Sequence, residues 1–74
     1  MNTKILLNLG QRLKYLRKTC GLTQEQLAEK VNIHPTYVGK IESGKSNISI
    51  TLLFKISRAL KVNLHDIFKF DEIN

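Results

Sequence analysis

Cysteine, proline and acid are all scarce in this chain of 74 residues: one Cys, one Pro, no Trp, and six Asp plus Glu against twelve Lys plus Arg. Each shortage closes a class. The lone Cys20 excludes an intrachain disulfide framework and a cysteine-rich zinc site, and it fits a reducing compartment, the cytoplasm. No cluster of His, Cys and carboxylates has metal-ligand spacing, so neither a metal nor another cofactor is expected. No apolar run can span a bilayer, and Ile5-Leu6-Leu7 is too short for a signal peptide, so no membrane attachment is expected. There is no nucleophile–base pair and too little chain to wall a pocket, which argues against an enzyme and against a small-molecule substrate.

The length allows one small domain, residues 1–74, with a core that is marginal alone. What the chain does have is positive charge: net +6 and a pI near 9.8. That balance points to an anionic partner, nucleic acid ahead of a membrane surface. RNA fits the charge, but the aromatic stacking platform it usually needs is missing.

The apolar pattern is helical throughout and predicts an all-α fold, a compact bundle of five helices. Leu9, Leu13, Leu16 and Cys20 mark one buried face of a first helix, closed by Gly21 in the left-handed conformation. Thr23 and Gln26 form a capping-box pair for a second helix, which buries Leu27, Ala28 and Val31. Pro35 suits the first position of a third helix, with Val38 and Ile41 inward and Gly44 at its end. Ser49 caps a fourth helix burying Leu52, Leu53, Ile56 and Leu60. Asn63 and Asp66 start a short fifth helix holding Leu64, Ile67 and Phe68. The tail, about 70–74, is expected to fray.

The second helix stops near Val31 and the third starts near Pro35. Two short helices joined so tightly must cross steeply, which is a helix-turn-helix, here about residues 23–43. Asn32 sits where the turn needs positive φ, and Ile33 plugs the turn into the core. The third helix then turns Pro35, Thr36, Gly39 and Lys40 outward. A major groove admits such a helix. Thr36 and Lys40 are the best base readers, by hydrogen bond or thymine-methyl contact and at guanine O6/N7 respectively. Pro35 can read only by apolar contact. Tyr37 flanks this face; its hydroxyl either reaches DNA or its ring packs on the domain. Gly39 either permits close backbone approach or is a tolerated surface glycine. His34 reads as a helix-start residue on the phosphate side, not as a ligand or pH switch. Lys55, Arg58 and Lys61 form a solvated face of the fourth helix.

The stretches "RLKYLRKTCGLTQEQLAEKVNIHPTYVGKIESGKS" and "LLFKISRALKV" resemble the lambda repressor/Cro type of helix-turn-helix domain, the XRE family. The resemblance runs from Leu9 to Phe68, about four-fifths of the chain. It rests on the ordered set Gln24, Ala28, Val31, Ile33, Val38, Ile41, Glu42 and Gly44. Asn32, where glycine is usual, and His34, where a better N-cap is usual, depart from the pattern. The size and "TYVGKIESGKSNISI" are similar to the controller proteins of restriction–modification systems, and also fit small phage-type and sporulation-type repressors. The resemblance implies that Gln24 lies near a DNA phosphate. It also implies that Lys45, Ser46 and Asn47 grip the backbone and that Arg17 and Glu42 form a structural ion pair. The expected function is sequence-specific binding of double-stranded DNA, as a homodimeric transcriptional regulator on a palindromic operator. Leu64, Ile67, Phe68, Phe70 and Ile73 are the expected dimer surface, with Leu64, Ile67 and Phe68 expected to serve partly as a cap on the monomer core instead. The rival reading is a protein-interaction module, antitoxin-like or an anti-repressor partner, using the same fold.

Overall fold

In the computed structural model the described residues are 3–70, and they form five α-helices: α1 (Thr3–Thr19), α2 (Gln24–Val31), α3 (Pro35–Glu42), α4 (Ile50–Ala59) and α5 (Leu64–Ile67). No strand occurs among the described residues. They occupy 28 × 22 × 20 Å.

Local chemistry sets the boundaries. Thr23 and Gln26 cap α2 reciprocally, and Asn63 and Asp66 do the same for α5. Ser49 Oγ accepts the Leu52 N–H at the start of α4. Each cap satisfies backbone donors that the first helical turn leaves without partners. Four helix ends share one device, in which a residue with left-handed φ turns two successive N–H groups back onto the helix's last carbonyls. Gly21 (φ 76°) does this after α1, Asn32 (φ 61°) after α2, Gly44 (φ 77°) after α3 and Lys61 (φ 60°) after α4.

The core is one cluster: Leu9, Leu13 and Leu16 of α1 meet Leu27, Ala28 and Val31 of α2, Val38 and Ile41 of α3, Leu53 and Ile56 of α4, with Leu60 and Ile67. Helix α1 packs on α3 and α5, and α4 packs on α2 and α5. Gly10 lies at the α1–α3 crossing, where an added methyl would collide with the carbonyl oxygens of Ile41 and Glu42.

Three expectations change. Cys20 is exposed, not buried: α1 ends at Thr19, so the chain has left the apolar stripe one residue earlier. Its thiol donates to the Leu60 carbonyl at 3.1 Å. Ile67, expected either in a dimer surface or as a cap on the core, is fully buried in this chain's own core, so the core reading holds and the dimer reading does not. Phe70, expected to begin a fraying tail, packs half-buried on the core and meets the Phe68 ring edge-on, with centroids 6.0 Å apart. Ile73 lies outside the described residues.

Candidate nucleic-acid interface

The site begins with a buried ion pair. Glu42, in the last turn of α3, accepts from Arg17 Nε at 2.6 Å and Arg17 Nη2 at 3.1 Å. Arg17 Nη1 donates onward to the Leu22 carbonyl at 2.7 Å. Gln24 Nε2, at the first position of α2, donates to Glu42 Oε1 at 3.0 Å. One carboxylate therefore ties α1, the α1–α2 loop, the start of α2 and the end of α3 together. Arg17 and Glu42 are 6 % and 7 % exposed. In so dry a place the bidentate geometry and the extra donor offset the desolvation of the two charges.

This network fixes how α3 sits. At the other end of α3, Asn32 turns the chain and Ile33 packs half-buried against the core. His34 Nδ1 accepts the Thr36 N–H at 3.0 Å, so the imidazole is the N-cap. Pro35 follows at the first helical position, where its missing N–H and fixed φ suit the helix start. Val38 and Ile41 point inward at 2 % and 3 % exposure.

The opposite side of α3 is open. Thr36 and Lys40 are exposed, and Pro35 and Gly39 are half-buried. Together with Gln24, Glu25, Ser43 and Lys45 they line a shallow depression between the start of α2 and the outer face of α3. A methyl on Gly39 would meet only the Gln24 amide, at 3.9 Å, so no neighbour inside the protein requires glycine there. Two lysines against one glutamate leave the depression cationic.

The candidate residues separate into two groups. Thr36, Lys40, Gln24 and Lys45 meet around this depression. Tyr37 is half-buried against the core, and its hydroxyl donates to the Asn47 carbonyl at 3.1 Å, bracing the α3–α4 loop. Lys45 and Asn47 are exposed in that loop and Ser46 is half-buried. At the far edge of the fold, Leu64 and Phe70 are half-buried and Phe68 is 45 % exposed.

Two structural residues escape a reading by spacing. Gly10 permits the close α1–α3 crossing; a glycine inside a helix, at about 1 kcal/mol less stable than alanine, was the available signal. Arg12 is 3 % exposed and its Nε donates to the Asp66 carbonyl at 2.8 Å, joining α1 to α5. It lies one turn from Leu9 and Leu16, on the buried stripe itself. Asp66 also accepts the Asn63 N–H, which chiefly holds its carboxyl below the ordinary carboxylate range.

No helix of the described residues is long and apolar enough to cross a membrane. A family model described as Helix-turn-helix matches residues 13–67. An uncharacterized HTH-type transcriptional regulator of Archaeoglobus fulgidus is 38 % identical over 61 residues, covering 82 % of this chain and 87 % of that protein. Control protein C.BamHI of Bacillus amyloliquefaciens is 36 % identical over 74 residues, covering 99 % of this chain and 91 % of that protein. The crystal structure of the restriction-modification controller protein C.AhdI from Aeromonas hydrophila superposes with a TM-score of 0.85 at 37 % identity, covering 88 % of this chain and 98 % of that one.

Proposed function

The chain belongs to the Helix-turn-helix family of transcriptional regulators, and on that premise we propose that it reads a palindromic operator in double-stranded DNA as a cytoplasmic homodimer. The observation that carries this reading is the open face of α3: short polar side chains and one lysine around a cationic depression, held by a buried ion pair behind them. Thr36 and Lys40 read base edges, with Pro35 adding apolar contact and Tyr37 bracing the loop beside them. Gln24, with one amide proton given to Glu42, offers the other to a phosphate beside the α2 N-terminus. His34, Lys45, Ser46 and Asn47 follow the backbone on either side.

A second copy is needed because one domain of this size buries too little DNA surface for tight, specific binding. Two chains at +6 repel, so they meet best where charge is absent. Such a place exists beside Phe68: Ile5, Ile50 and Phe68, at 48, 65 and 45 % exposure, rim a groove floored by Leu6 and Ile48, and none of the described residues lining it is charged. Phe70 meets the Phe68 ring beside this groove, whereas Leu64 lines a different hollow, with Phe54 and Val62. This face supports the homodimer better than the full set read from the sequence, since Ile67 is inside the core.

Similarity to two controller proteins supports a more specific role, regulation of its own gene and of a neighbouring restriction endonuclease gene. The test is a salt titration of binding to duplex DNA from upstream of its own gene, with sedimentation on the same samples. Affinity that falls steeply with salt, in a complex of two chains per site, supports the reading. A complex of one chain, or no preference for that DNA over unrelated duplex, overturns it.

A further inference from the structure

Three of the four left-handed helix caps hold glycine or asparagine, the residues that tolerate this conformation. The fourth, after α4, holds Lys61, with the same pair of backbone hydrogen bonds: Lys61 N–H to Arg58 at 3.1 Å and Val62 N–H to Ser57 at 3.0 Å. A lysine there is conformationally unfavourable where glycine would relieve the strain. Its side chain stands exposed beside three other cations. Lys30, from the last turn of α2, joins Lys55, Arg58 and Lys61 around a depression floored by Val31 and Ala59. Among the described residues no carboxylate pairs with any of the four. Arg58 lies over the exposed Phe54 ring at 5.7 Å, and a second hollow beside it is lined by Phe54, Val62 and Leu64.

We infer that this outer face of α4 is a docking surface for an acidic, partly apolar peptide segment of a partner protein. Charge sets the class: four cations in one hollow, none with a carboxylate partner among the described residues, suit a run of carboxylates. The apolar floor and the Arg58–Phe54 pair suit aliphatic or aromatic side chains between the acids. The surface shares no residue with the depression at α3. It adjoins the end of α2, and the reading face adjoins its start, about 11 Å away along an eight-residue helix. A chain bound to DNA through α3 therefore keeps this surface free. Lys30 and Arg58 also complement the negative ends of their helices, but Lys55 sits mid-helix and Lys61 lies past the end of its helix, in the conformation that disfavours it.

The experiment uses the full chain and a fluorescein-labelled peptide of Asp, Glu, Leu and Phe, read by anisotropy, with an Asn/Gln version of the peptide as control. The acidic peptide binds wild type and the Thr36→Ala, Lys40→Ala variant alike. The Lys55→Gln, Arg58→Gln, Lys61→Gly variant binds it ~10-fold more weakly, as three lost charge contacts imply. Lys61→Gly alone weakens peptide binding while its Tm holds or rises. Equal binding of the neutral peptide, or undiminished binding by the triple variant, overturns the proposal. So does a lower Tm for Lys61→Gly, which would make the lysine a structural cap. A triple variant that loses duplex affinity as much as peptide affinity would assign the face to DNA and overturn it too.

Discussion

The two sides of α3 handle charge in opposite ways. On the inner side Glu42 is buried, and its two oxygens accept from Arg17 and Gln24. On the outer side Lys40 stands exposed beside Thr36 and Gly39. A buried charge must be paired in the folded chain itself, whereas an exposed one can wait for a partner. The inner side therefore serves stability, and the outer side is the one proposed to bind. Substitutions on the two sides should fail in different assays.

Glu42→Ala should give the largest effect. It leaves the Arg17 guanidinium buried without its counter-charge, and about 3–5 kcal/mol of stability should be lost. Chemical denaturation measures this, and an unchanged midpoint would remove the ion pair from the account. Gly10→Ala comes next. The added methyl meets backbone oxygens at the back of α3, which cannot rotate away, so a loss of about 1–3 kcal/mol is expected. Gly39→Ala tests the open side with the same chemistry. Its methyl has room, so helix stability should rise by about 1 kcal/mol or less. If Gly39 permits close approach of DNA, duplex affinity falls while Tm rises; if it is a tolerated surface glycine, affinity stays.

The smallest effect is acidic. Asp66 is held below the ordinary carboxylate range by the Asn63 N–H. A group with a lowered folded pKa contributes stability above its unfolded pKa and loses it as pH falls through the folded one. Thermal melts should thus decline slightly below the ordinary carboxylate range, and less so in Asp66→Asn. An equal decline in both proteins would remove Asp66 as its source.

Helix ends were the most legible part of the sequence. Thr23, Gln26, Ser49, Asn63, Gly21, Asn32 and Pro35 act through local geometry, which a few adjacent residues determine. The turn that aims α3 was readable for the same reason. Depth was harder to read. Spacing assigns a residue to a face, and Cys20 shows that it does not say how far along the helix the core runs; nor did it decide Ile67 between core and surface. Gly10 and Arg12 depend on which helix crosses α1, information carried by positions about 30 and 54 residues away. Of the site, the outward set on α3 followed from periodicity. The bond from Gln24 to Glu42 did not, because it joins two elements brought together only by the fold.

On the proposed reading α3 reads sequence with its open face, while the ion pair behind it only holds it in place. Parallel gel shifts of wild type and Thr36→Ala, Lys40→Ala on DNA from upstream of its own gene, and on unrelated duplex at low salt, test it most directly. The expected variant has wild-type melting and retained binding to unrelated duplex but loses its preference for the upstream DNA, by about 1–3 kcal/mol per reading contact. A variant that keeps the full preference of the wild type would contradict it.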